Sequence, residues 1–84
     1  MAQKKFSAED IHTLMSNPYV MDANESRILY TPEFKKRFMD EYLAGKGPTQ
    51  IFRDSGFDPR MLGGKRIERA AARWKIAYEK GRIS

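Results

Sequence analysis

Five basic residues, Lys65, Arg66, Arg69, Arg73 and Lys80, follow one another at intervals of one, three, four and seven near the end of the chain. At ~100° per residue, a helix gathers them on about one third of its surface. Ile67, Ala70, Ala71, Trp74 and Tyr78 then fall on the opposite face. A one-sign front on an apolar back suits a row of phosphates, because cationic side chains displace the counterions condensed there. Arginines in such a row can also donate two parallel hydrogen bonds to guanine O6 and N7. Arg66 and Arg69, early in the helix, are the candidates for reading bases. Lys65 and Arg73, with Lys46, are candidates for phosphate contacts, and Arg60, also a candidate DNA contact, leads into the helix. The plainer meaning of such a run is a solvated face.

The charge is unevenly placed. Residues 60–84 hold eight basic and two acidic residues, a balance of +6, against eight basic and nine acidic in residues 1–59. The chain of 84 residues therefore carries its whole net charge of +5 in its last quarter. Other chemistry is poorly provided for. There is no cysteine and a single histidine, His12, so neither disulfides nor a thiolate or His-rich metal site is expected, and no cofactor is implied. The eleven acids are scattered, and no nucleophile–base pairing or Gly-rich phosphate loop occurs. An enzyme is not expected. No stretch approaches the ~20 apolar residues of a membrane span. Met1-Ala2-Gln3-Lys4-Lys5 is followed by no apolar run, so a secretory signal is not expected and a cytoplasmic location is.

Elements to position the basic stripe can be read from caps and breakers. Residues 1–6 are expected to be a flexible tail, and 7–84 a single domain. Ser7, with Glu9 and Asp10, opens a helix whose stripe is Ile11, Leu14 and Met15, and Asn17-Pro18 stops it. Tyr19-Val20-Met21 and Arg27-Ile28-Leu29-Tyr30 are β-prone runs that predict a small hairpin or an extended arm near residues 19–30. Thr31-Pro32-Glu33 starts a helix in which Phe34, Phe38 and Tyr42 recur every four residues beside Met39 and Leu43, and Gly45 ends it. Pro48 opens a shorter helix that closes at Gly56; Asp58-Pro59 opens another, Gly63-Gly64 interrupts it, and Lys65 begins the basic helix.

Short helix, Gly-containing turn and longer amphipathic helix form the helix-turn-helix order over 48–80, with 32–45 as the supporting helix. The fold class expected is all-α, a small helical domain with this trio at 32–80. Phe57, next to the turn glycine, is placed to plug the core, and Trp74 to lie within it. In such a trio the first helix of the pair crosses the DNA backbone, so the helix start near Pro48 can meet a phosphate, with Lys46, Thr49 and Gln50 adding to it.

At these residues the chain resembles the helix-turn-helix, homeodomain-like domains of insertion-sequence transposases. Tyr30-Thr31-Pro32-Glu33-Phe34-Lys35 is similar to the opening of their first helix. Tyr42-Leu43-Ala44-Gly45, Pro48-Thr49-Gln50-Ile51-Phe52 and Ser55-Gly56-Phe57-Asp58 continue the likeness. Leu62-Gly63-Gly64-Lys65-Arg66-Ile67 and Arg73-Trp74-Lys75 resemble a variant with extra residues before the tryptophan, and Asn17-Pro18-Tyr19-Val20 the segment that precedes its trio. The resemblance implies a bacterial protein that binds double-stranded DNA at the ends of a mobile element, with catalysis supplied by a separate transposase subunit. Phe38–Gly45 followed by Pro48-Thr49-Gln50 also looks like the DNA-binding domain of phage terminase small subunits. A helical protein-interaction domain that docks an acidic partner is the remaining alternative.

Overall fold

Three of the helices open on a side chain that takes up an orphan backbone N–H. In the computed structural model, which describes residues 5–82, helix α1 spans Ala8–Met15. Ser7 Oγ accepts from the Asp10 N–H and the Asp10 carboxylate accepts from the Ser7 N–H, both at 3.1 Å, a reciprocal capping box. Strands β1 (Val20–Ala23) and β2 (Ile28–Tyr30) pair antiparallel, Val20 opposite Tyr30 and Ala23 opposite Ile28, with an irregularity between Val20 and Asp22. Helix α2 (Pro32–Leu43) begins where Thr31 Oγ1 accepts from the Phe34 N–H at 3.2 Å. Helix α3 spans Pro48–Asp54, and the short α4 spans Pro59–Leu62, capped by Asp58 accepting from the Arg60 N–H. Helix α5 runs from Gly64 to Glu79.

The two glycines that shape the functional half have backbone conformations other residues resist. Gly56 turns the chain between α3 and α4 at φ +94, and Gly63 separates α4 from α5 at φ +86. The expected break in the last helical stretch is therefore present, and α5 starts one residue earlier than Lys65. At Gly56 a Cβ would also come within 3.1 Å of Asn17 Nδ2. Asn17, just past α1, donates from that nitrogen to the Ser55 carbonyl at 3.1 Å and so ties the first helix to the turn.

One core joins all these elements. Phe34, Phe38, Met39, Ile51, Phe52 and Ile67 are fully buried in it, with Phe57 and Trp74 nearly so. Tyr30, carried in from the hairpin, sits among Trp74, Phe34, Phe57 and Phe52, with ring centroids 5.0 to 5.8 Å away. The indole of Trp74 stacks on Phe52 at an interplanar angle of 6°.

Four expectations need correction. Residues 5 and 6 do not belong to a tail: Phe6 is 5% exposed in the core, and its N–H donates to the Glu25 carbonyl at 2.8 Å. Burial of the ring, the bond to Glu25 and the Arg66 guanidinium over the ring together oppose the loss of freedom on ordering this segment; residues 1–4 of the expected tail lie outside the described residues. Tyr78, placed on the apolar face by periodicity, is exposed, because buried positions on α5 end at Trp74. Leu43 and Met15 are likewise exposed at the last turns of their helices, where no neighbouring element covers them.

Candidate nucleic-acid interface

Helix α5 buries Ile67, Ala70, Ala71 and Trp74 against the core and turns Lys65, Arg69, Arg73 and Lys80 outward. The two alanines are small enough to let this face of the helix pack close to the core. Among the described residues, Lys65, Arg69 and Arg73 enter no ion pair. At ~100° per residue, Glu68, Lys75 and Glu79 fall on one flank of the exposed surface and Arg66 and Arg73 on the other. The basic stripe is thus offset towards the hairpin, which lies along the Arg66 flank. Arg60, on α4, is exposed.

Arg66 is not on the open front where periodicity set it. Its Nε donates to the Leu62 carbonyl at 3.0 Å, at the C-terminal end of α4. Its Nη1 donates to the Ser26 carbonyl in the hairpin turn at 3.3 Å, and its guanidinium lies over the Phe6 ring, 4.3 Å from the centroid. The residue is half-buried. Helical periodicity fixes its direction correctly but cannot know that a hairpin forty positions away in sequence stands in that direction.

Lys46 is engaged as well. Its Nζ meets Glu41 Oε1 at 2.8 Å and Asp54 Oδ2 at 3.1 Å, while Arg37 Nε holds the other oxygen of Glu41 at 2.8 Å. Lys46 and then Arg37, by hydrogen bonding, hold the Glu41 carboxyl below its ordinary pKa. Hydrogen bonds to Glu41 first and Asp54 second raise that of Lys46. This ionic knot joins α2 to α3 and offsets the charge that sequence reading assigned to a phosphate. Thr49 and Gln50 are exposed in the first turn of α3, whose N-cap, Gly47, offers no side chain to the free N–H groups.

Between β2 and α5 runs a groove of about 320 Å³. Arg66, Arg69 and Arg73 line it from the helix, Arg27 and Tyr30 from the hairpin. Arg27 was missed by the sequence reading, since nothing local distinguishes it from a turn arginine. Burial pushes the Tyr30 hydroxyl up to about 12, with Arg66 and Arg73 pulling the other way. A second groove, of about 600 Å³, opens beyond Arg73 towards the start of α2, where Lys35, Lys36 and Arg82 are on its walls beside Glu33. Among the described residues, no group of His, Cys, Asp and Glu could hold a metal ion, and no helix is long and apolar enough to cross a membrane.

Of the eight residues expected at the interface, the structure brings Arg66, Arg69 and Arg73 together along one groove, leaves Lys65, Arg60, Thr49 and Gln50 exposed, and engages Lys46 elsewhere. No curated protein and no solved structure matches the chain. A family model does, over residues 1–82, and its description is that of a transposon-related helix-turn-helix domain protein. The matched span takes in the hairpin as well as the trio. With α3, the turn at Gly56 and the basic α5 in helix-turn-helix order, the chain belongs to the transposon-related helix-turn-helix domain family, a DNA-binding class of module.

Proposed function

We propose that the protein binds duplex DNA sequence-specifically, recognising the ends of a mobile element, and leaves strand chemistry to a separate catalytic subunit. The observation that carries this reading is the exposed, one-sign front of α5, in which Lys65, Arg69 and Arg73 stand without ion-pair partners among the described residues. Arg69, in the first half of the helix, is the base reader, placed to donate both guanidinium nitrogens to a guanine edge in the major groove. Lys65, Arg73 and Arg60 contact phosphates, and Thr49, Gln50 and the open N–H groups at the start of α3 meet the backbone on the other side. Arg66 holds the interface in shape, and Lys46 acts on it indirectly through the tie between α2 and α3.

Fluorescence anisotropy with a labelled duplex carrying an element end, beside a scrambled duplex, tests this. The wild type is expected to prefer the end sequence and to weaken steeply with salt, at about −0.9 in log–log slope per phosphate contact. Arg69→Ala is expected to lose ~1–3 kcal/mol on the end sequence and less on the scrambled one. Lys65→Ala should weaken both alike. Absence of DNA binding at any salt would return the basic face to a protein partner.

A further inference from the structure

We infer that the groove between β2 and α5 seats one backbone phosphate of the bound DNA, held from the hairpin side by Arg27 and from the floor by the Tyr30 hydroxyl. The inference rests on α5 as the DNA-facing helix and adds the hairpin to it as a second wall.

Among the described residues that line it, the groove has four arginines, Arg27, Arg66, Arg69 and Arg73, and no carboxylate. Like charges about one open space repel until an anion comes between them. Neither wall is free to recede. Arg66 bridges them through its bond to the Ser26 carbonyl, and Asn24 Oδ1 accepts from the Ser26 and Arg27 N–H groups at 2.8 and 3.0 Å, fixing the backbone of Arg27. The floor supplies a neutral donor. Tyr30 is only 8% exposed, yet its hydroxyl finds no hydrogen-bond partner among the described residues. No side-chain polar atom among them is both fully buried and unpartnered, so this hydroxyl opens onto the groove it lines. With its pKa raised to about 12 by burial, the phenol keeps its proton at neutral pH and can donate it.

A phosphodiester matches this set, because its two charged oxygens can accept from arginines and from a hydroxyl at once. DNA is the natural source. Arg69 and Arg73 belong both to the groove and to the exposed front of α5, and the strands bordering a major groove rise on either side of an inserted helix.

The test is a titration of the full chain against a labelled duplex of scrambled sequence at several salt concentrations, comparing the wild type with Arg27→Ala, Tyr30→Phe and Lys65→Ala, whose side chain lies outside the groove. Thermal melts confirm that each variant is folded. Arg27→Ala is expected to weaken binding and to make the salt slope shallower by about 0.9. Tyr30→Phe, which keeps the ring in the core, is expected to weaken binding about threefold to tenfold. Wild-type affinity in either of these variants overturns the phosphate seat; a weakened Lys65→Ala then leaves the DNA reading standing, and an unchanged one overturns α5 as the DNA-facing helix as well. A wild-type protein that binds no duplex overturns both.

Discussion

The guanidinium of Arg66 lies 4.3 Å from the centroid of the Phe6 ring, and the same group donates to backbone carbonyls in two other segments. One side chain therefore joins the residues before α1, the hairpin turn, the end of α4 and α5. Arg66→Ala is expected to destabilise the fold by ~1–3 kcal/mol, the range for lost charge-assisted hydrogen bonds. Hydrogen exchange should show the hairpin amides losing protection first. Arg66→Lys should restore little, since an ammonium lacks the planar fork that reaches two carbonyls and a ring together. Hairpin protection equal to wild type in Arg66→Ala would show that the hairpin docks without this side chain.

Trp74 is 4% exposed, with Tyr30 and Phe38 edge-on at 5.0 and 5.1 Å and Phe52 stacked at 5.9 Å. Trp74→Ala is expected to cost ~3–5 kcal/mol, a large part of the stability of so small a domain. Denaturant unfolding measures it; an unchanged midpoint would contradict the packing described.

Stability should fall at alkaline pH through Tyr30. Burial raises its pKa from 10.0 to about 12, so its contribution is complete below the ordinary tyrosine value and is lost as pH rises towards the folded one. A displacement of that size is worth roughly 3 kcal/mol. Tyr30→Phe has no such group, so its stability relative to wild type should improve steadily between these two pH values.

Acid should act through Glu41. Its pKa is depressed by Lys46 and Arg37, so its stabilisation is present above the ordinary glutamate value and disappears as pH falls through the folded one. The raised values of Arg37 and Lys46 keep both charged throughout that range. Glu41→Gln is therefore expected to lower the melting temperature at neutral pH and to match the wild type in strong acid. Added salt should shrink the neutral-pH difference, since the cations of the knot are well exposed.

The adjacent glycines should respond oppositely to a methyl group. Gly63 has φ +86, and a Cβ there meets nothing within 4 Å, so Gly63→Ala carries only a backbone penalty of ~1–3 kcal/mol. Gly64 is the first residue of α5 with equally open surroundings, and Gly64→Ala is expected to be neutral or to stabilise by up to ~1 kcal/mol. Thermal melts of the two single variants decide it.

The elements legible in the sequence are those written in local chemistry. Ser7, Thr31-Pro32, Gly47-Pro48 and Asp58-Pro59 each start a helix where a cap or a proline dictates, and the stripe of α5 follows from spacing alone. What escaped depends on tertiary neighbours. Phe6 stands alone between Lys5 and Ser7, with no periodicity to mark it as core. Lys46 is a loop lysine until α2 and α3 bring Glu41 and Asp54 to it. Arg66 and Arg27 acquire their places only when the hairpin folds back on α5, and a helical wheel contains no hairpin.

Tyr30 belongs by sequence to the hairpin and by packing to the centre of the trio, in ring contact with Phe34, Phe52, Phe57 and Trp74. The three helices are consequently not a transplantable cassette. A fragment cut at residue 32 would carry a ring-sized hole where an aromatic touching four others had been. Chimaeras that exchange recognition helices between relatives must carry the hairpin along with them, because the ring that fills the centre of the trio travels with it.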